Sequence, residues 1–268
     1  LAGRTLADAW DLLAEHGQRL PLALGAWICA RVAAGLHSAH ELTDARGSAL
    51  SVVHRDVNPS NIFLTYEGEV KLIDFGLAKA RVRREKSGEG LVKGKIPYLA
   101  PEQLTTRDVD RRIDVYALGA TLWELGTMQR LFKRDTDLDT LRAIREAKVP
   151  DPRARVDGYP DELFAVVDRA LKSDPDQRYA TAEQMQRDLD AFIGDRGRSM
   201  GEELRSLMSR LFPGEKARHS IWHGGAMAIR ALTTTPPPPL PIPLASTNLL
   251  DENVVVVELT DADVVPTD

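Results

Sequence analysis

The residues His54-Arg55-Asp56-Val57-Asn58-Pro59-Ser60-Asn61, followed by Asp74-Phe75-Gly76 and then Ala100-Pro101-Glu102, are the part of the chain whose reading decides the fold. Each piece is weak alone, since His-Arg-Asp is an ordinary surface triplet and Asp-Phe-Gly an ordinary turn. Their order and spacing carry the weight. Ile62-Phe63-Leu64 and Val70-Lys71-Leu72-Ile73 flank Glu67-Gly68, which is the pattern of a β-hairpin. A hairpin returns its ends to one edge. Asp56 and Asn61, at the two ends of one loop, can therefore meet Asp74, at the end of the second strand, in a single cleft. Three oxygen-bearing side chains gathered in this way suit phosphoryl transfer. That chemistry is mostly positioning and charge stabilisation, with one group for the hydroxyl proton and two for Mg²⁺ against the nucleotide oxygens.

The surrounding sequence is helical. Thr5 with Asp8 makes a capping-box-like start, with Leu6, Ala9, Trp10 and Leu13 on one face and Gly17 beyond the end. A longer helix is predicted from about Leu22 to Glu41, striped by Leu24, Trp27, Ile28, Val32, Leu36 and Ala39. Residues 113–126 are apolar nearly all round, which suits a buried central helix. Shorter amphipathic helices are expected at Leu138–Ala147, at Leu163–Leu171 and from Thr181 to Ile193. A further helix at 200–212 reads as capped by Ser199 with Glu202 as its box partner, and needs a surface to pack on. The expected class is mainly α with a small β-hairpin.

Composition sets outer limits. Of 268 residues 43% are hydrophobic, enough to bury a core, and the single cysteine, Cys29, excludes a disulfide framework and suits a reducing, cytoplasmic setting. The net charge of −5 argues against a general nucleic-acid binder. Residues 231–268 contain six acids and no Lys or Arg, so the rest is close to neutral. Residues 20–30 are too short to span a membrane, and 231–250 carry six prolines, so no membrane span is expected. The excess of 26 Arg over 9 Lys suggests a high-GC, bacterial coding sequence. From Thr233 the chain reads as a polyproline-type spacer leading into an acidic, disordered tail.

The ordered motifs resemble the eukaryotic-type protein kinase family, specifically the large C-terminal lobe of its catalytic domain, an α+β fold. The resemblance covers residues 1–193, leaving 194–230 as a helical extension and 231–268 as the tail. It implies that Asp56 is the catalytic base, that Asn61 and Asp74 are Mg²⁺ ligands, and that Phe63 lies beneath the adenine of ATP. It makes His54 and Phe75 stacked core members and residues 74–102 the activation segment. Pro59, and the absence of an Arg or Ala-Ala insertion in the loop, look like the Ser/Thr branch, so ATP and a protein substrate are the implied partners. Two distant segments extend the match. Asp114-Val-Tyr-Ala-Leu-Gly resembles the helix whose Asp accepts backbone N–H groups of the catalytic loop, and Asp174-Pro-Asp-Gln-Arg178 resembles the motif whose Arg pairs with the Glu of Ala-Pro-Glu, here Glu102. Arg55, beside the base, would pair with a phosphate in the activation segment. Ser87, amid Arg81, Arg83, Arg84 and Lys86, is the candidate phosphosite. The plain alternative is a solvated basic loop.

The sequence also departs from the family. No G-x-G-x-x-G and no Val-Ala-x-Lys precede the catalytic loop, so the N-terminal lobe is absent from these residues. With Leu1 in place of Met, the expectation is a fragment that is inactive alone and needs the N-lobe of a longer chain. Asn58 stands where most Ser/Thr kinases carry Lys, and Lys95 where they carry Thr, so Lys95 could supply the missing charge on the transferring phosphate. Two other readings stand beside the kinase: a pseudokinase-like scaffold, and a small-molecule phosphotransferase. The Ala-Pro-Glu, Asp114 and Arg178 features weigh against the second.

Overall fold

A long helix, a three-stranded sheet and a wholly buried helix frame the loop quoted above. The computed structural model describes residues 2–74, 96–106 and 108–215. Phe75, Ser87, Lys95 and the Pro-rich and acidic tail lie outside the described residues.

Strand β1 (Gly3–Thr5) leads directly into helix α1 (Leu6–Glu15). Thr5 Oγ1 accepts the Asp8 N–H while Asp8 Oδ2 accepts the Thr5 N–H, so the capping box forms as written in the sequence. Strands β2 (Ile62–Thr65) and β3 (Val70–Leu72) make the hairpin, pairing Ile62 with Leu72 and Leu64 with Val70. The sheet is wider than predicted. β1 joins antiparallel to β2, setting Thr5 opposite Phe63. A three-residue strand ending at a helix cap carries no period of its own, so only the partner reveals it.

Helix α2 (Leu22–His40) is buried on almost every face, and packs against β3, α3 (Arg112–Thr127) and α6 (Ala182–Ile193). It is long and apolar enough by length and composition to cross a membrane, a property missed when only residues 20–30 are weighed. Here its apolar faces are spent on protein, and its Arg31 reaches Asp190 of α6 at 3.0 Å. Every residue of α3 from Ile113 to Thr127 is buried, as the apolar pattern required. Helices α4 (Asp137–Glu146), α5 (Asp161–Ala170) and α7 (Met200–Leu211) complete the described elements, α5 packing against α3 and α6. Thr181 Oγ1 caps α6 by accepting the Gln184 N–H.

The start of α7 differs from its sequence reading. Residues 194–199 wind into a 3₁₀ segment, so Ser199 is already helical and its hydroxyl donates back to the Arg196 carbonyl; the Ser199–Glu202 box does not form. The surface that α7 needed is supplied by α1, α2 and β2, onto which Met200, Leu204, Leu207 and Met208 are buried. Gly68 at the hairpin tip has φ +91, and a Cβ there would lie 2.0 Å from the Gly201 carbonyl oxygen. Only glycine allows the tip to turn this way and approach α7 so closely. Beyond α7, Glu215 takes Arg4 of β1 in two parallel bonds of 2.8 Å and accepts the Tyr66 hydroxyl at 2.5 Å, closing the extension onto the sheet.

Candidate active site

The loop from His54 to Asn61 owes its shape to a buried carboxylate. Asp114, in the first turn of α3, is 1% exposed. Its Oδ2 accepts the backbone N–H of His54 and its Oδ1 that of Arg55, each at 2.8 Å. A third donor, His40 Nε2 at the end of α2, reaches Oδ2 at 2.8 Å. An isolated buried carboxylate would be costly, and three donors are what make it tolerable. The two backbone bonds also hold Arg55 at φ +66, a left-handed conformation that costs a non-glycine residue about 1–3 kcal/mol and persists only where its surroundings enforce it.

His54 joins the loop to the strand beyond it. Its buried ring accepts the Asp56 N–H at Nδ1, 3.3 Å away, and its Nε2 lies 3.1 Å from the Ile73 carbonyl. These partners require the neutral tautomer with the proton on Nε2. Burial pushes the His54 pKa below its ordinary value despite the nearby Asp114 charge and the Ile73 carbonyl. From the other side the Ile73 N–H donates to the Asn61 carbonyl at 2.9 Å. Ile73 is thus bonded to both ends of the loop, and Asp74, the next residue, is held beside it. Asp74 is exposed at φ +66, aimed away from the strand line.

Asp56 and Asn61 are tied to one another. Asn61 Nδ2 donates to the Asp56 carbonyl at 2.7 Å, so its Oδ1 faces the other way and accepts nothing from the described residues. Asn58, buried beneath the loop, donates its Nδ2 to the Asp56 carbonyl at 2.9 Å and to Asp56 Oδ1 at 3.0 Å, while its own Oδ1 accepts the Ser60 N–H. The residue that departs from the family is therefore a neutral clamp on the Asp56 carboxylate. Phe63 sits half-buried in the middle of the sheet, opposite Lys71 of β3 and Thr5 of β1.

The distant pair also meets. Arg178 holds Glu102 through two parallel bonds of 2.7 and 2.8 Å, and its remaining donors reach the Lys172 and Ser173 carbonyls at 2.6 and 2.9 Å. Its guanidinium lies over the Tyr116 ring of α3. Glu102 follows Pro101 in a short 3₁₀ turn, so this pair fixes the segment that returns the chain to the site.

Sequence reasoning brought Asp56, Asn61, Asp74, Asp114, Glu102 and Arg178 to attention; the fold ties Asp114 to the backbone before Asp56, Asn61 to Asp56 and to Ile73 beside Asp74, and Arg178 to Glu102 as a separate pair. It missed His40, whose helix-end position gives no local signal. It also passed over Glu124, an acid on the all-buried α3, where the missing partner was itself a signal. Glu124 is held by Tyr98 and Arg130.

A model of the protein kinase domain matches residues 6–189. The chain belongs to the protein kinase family. The chain is 41% identical over 195 residues to "Tyrosine-protein kinase MasK" of Myxococcus xanthus, an overlap covering 73% of this chain and 30% of that one. To "Serine/threonine-protein kinase PknL" of Mycobacterium tuberculosis it is 36% identical over 181 residues, 68% of this chain and 43% of that one. To "Serine/threonine-protein kinase PknB" of Mycolicibacterium smegmatis it is 41% identical over 141 residues, 52% and 22% of the two chains. The chain thus spans less than half the length of these curated relatives. Its described residues are mostly helical with a small three-stranded sheet.

The donor set fits the Mg²⁺ that the family uses. Mg²⁺ is bound by one or two protein oxygens together with substrate phosphates and water, so no dedicated cage of protein ligands is needed. Asn61 Oδ1, turned away from the Asp56 carbonyl by its own amide bond, and the exposed Asp74 carboxylate are oxygens of that sort, and Asp74 has no ion-pair partner among the described residues.

Proposed function

We propose that residues 1–193 are the large lobe of a serine/threonine protein kinase domain, moving the γ-phosphoryl group of ATP to a Ser or Thr hydroxyl of a protein. The observation that carries this reading is the double lock on the loop, Asp114 on the backbone before Asp56 and the Ile73–Asn61 bond after it. Such fixation is what a reaction dominated by positioning requires.

In this reading Asp56 takes the proton of the attacking hydroxyl as its oxygen bonds to the γ-phosphorus, and ADP leaves. Asn58 keeps the Asp56 carboxylate in one orientation, because its amide is bonded to both the carboxylate and the carbonyl of the same residue. Asn61 Oδ1 and Asp74 would hold Mg²⁺, which when bound neutralises charge on the nucleotide phosphates. Phe63 lines the floor under the adenine. Asn58 carries no charge, so Lys95 supplies the positive group on the transferring phosphate. Arg55 makes no ion pair among the described residues and would receive a phosphate on Ser87. The Gly-rich loop and strand lysine that roof the nucleotide in this family do not occur in these 268 residues, so the chain acts with an N-terminal lobe and is inactive without one. We place the chain in a reducing, cytoplasmic setting, which its single cysteine, Cys29, suits.

The MasK name denotes a tyrosine kinase and the PknL and PknB names serine/threonine kinases, so the acceptor residue is the point to test. The full-length natural chain, given γ-labelled ATP and a mixed protein substrate, should yield phosphoserine and phosphothreonine on acid hydrolysis. Phosphotyrosine alone would overturn the Ser/Thr assignment, and no transfer to protein would favour a scaffold.

A further inference from the structure

A cavity opens between the catalytic loop at Asn58–Ser60, the Pro97–Tyr98 turn, and Arg130 and Lys133 in the segment after α3. Among the described residues no acid lines it. Glu124, a buried acid bonded to two of the lining residues, is already engaged. Its Oε1 accepts the Leu131 N–H at 3.0 Å, and its Oε2 accepts the Tyr98 hydroxyl at 2.8 Å and Arg130 Nη1 at 3.0 Å. The chain's own arginine therefore consumes the carboxylate that could otherwise have drawn a basic side chain toward this wall.

Arg130 is rigid as well as charged. Its guanidinium lies 4.0 Å from the Trp10 ring centroid, bonds Tyr98 and Glu124 through Nη1, and approaches Asp11 at 3.6 Å through Nη2. Lys133 differs in being exposed and having no ion-pair partner among the described residues. The exposed Ser60 adds a hydroxyl, its backbone N–H being already given to Asn58. Beside the charge-compensated Arg130–Glu124 pair, the uncommitted Lys133 ammonium and the Ser60 hydroxyl make a wall complementary to an anion.

We propose that this cavity is a specificity subsite that takes an acidic side chain of the protein substrate, a carboxylate or a phosphorylated residue, close to the hydroxyl being phosphorylated. The proposal rests on Asp56 as the base, which puts the acceptor hydroxyl beside the same loop. Lys133 makes the direct contact. Arg130 is a positioning residue: its pair with Glu124 cancels that acid's charge beside the wall and leaves Lys133 to set the sign.

The test is a peptide series with Glu, phosphoserine or Lys scanned through each position flanking the acceptor, phosphorylated by the full-length natural kinase. One flanking position should favour the acidic side chains. Lys133→Glu should lower the ratio of kcat/KM for acidic over basic peptides about 10-fold, through KM, since reversing a half-screened charge replaces attraction by repulsion. Lys133→Arg should restore the preference, which a loss of folding would not allow. Equal use of Glu and Lys at every position, or a preference that survives Lys133→Glu, overturns the subsite. Glu ranked against phosphoserine assigns the source of the negative charge. The two readings fail separately. If Asp56→Asn keeps its turnover the base assignment falls, whereas anisotropy of a labelled acidic peptide on that same variant still reports whether Lys133 binds it.

Discussion

Asp56→Asn in the full-length natural chain is expected to lower kcat by about 10²–10⁴, the range over which a positioned general base contributes. The substitution is nearly isosteric. Asn58 can keep its bond to the residue-56 carbonyl, and the Asn61 amide bond to that carbonyl is untouched, so the loop should keep its shape. What is lost is the ability to accept the hydroxyl proton. The comparison is made by steady-state phosphorylation of one peptide with the unfolding midpoint measured alongside. A variant that folds and retains wild-type kcat would remove Asp56 from the chemistry. Lys95→Thr in the same assay should also cut turnover sharply, because Asn58 is neutral and already engaged. Unaltered turnover there would leave the phosphate charge to another group.

The second large effect is on stability. Arg178→Ala is expected to cost about 3–5 kcal/mol in chemical denaturation, the range for removing one partner of a buried ion pair. The Arg178 side chain is fully buried and the Glu102 side chain 16% exposed. Removing the guanidinium leaves that carboxylate unpaired and strips the Lys172 and Ser173 carbonyls of their donor. Arg178→Lys should rescue little, since a single ammonium cannot give two parallel bonds and still reach two carbonyls. A loss below about 1 kcal/mol, the worth of a surface pair, would show that Glu102 finds water instead.

These two residues show how differently parts of the molecule could be read from sequence. Asp56 was legible because its neighbours Asn61 and Asp74 stand at the ends of one loop and one hairpin strand, and local geometry is enough to bring such ends together. The helices were legible where one face or all faces are apolar, and where Thr5 and Thr181 precede an Asp or Gln at capping distance. The Ser199–Glu202 pair obeys the same pattern and still makes no cap, because the turn before it is already wound. β1 was hidden for the opposite reason. Its three residues become a strand only when β2 lies beside them.

The sequence alone determined which oxygen-bearing side chains the chain offers around one loop and one hairpin, and in what order they come. Local rules of spacing, capping and turn formation act over a few residues, and those suffice for it. The tertiary structure decided how those groups are held and what surrounds them. It brought His40 to Asp114 across 74 residues and Glu215 to Arg4 across 211. It turned Asn58 into a clamp, and it spent Glu124 on Arg130, leaving Lys133 to face the cavity. A buried charge must find its partner wherever the packing supplies one, and no local pattern records where that is.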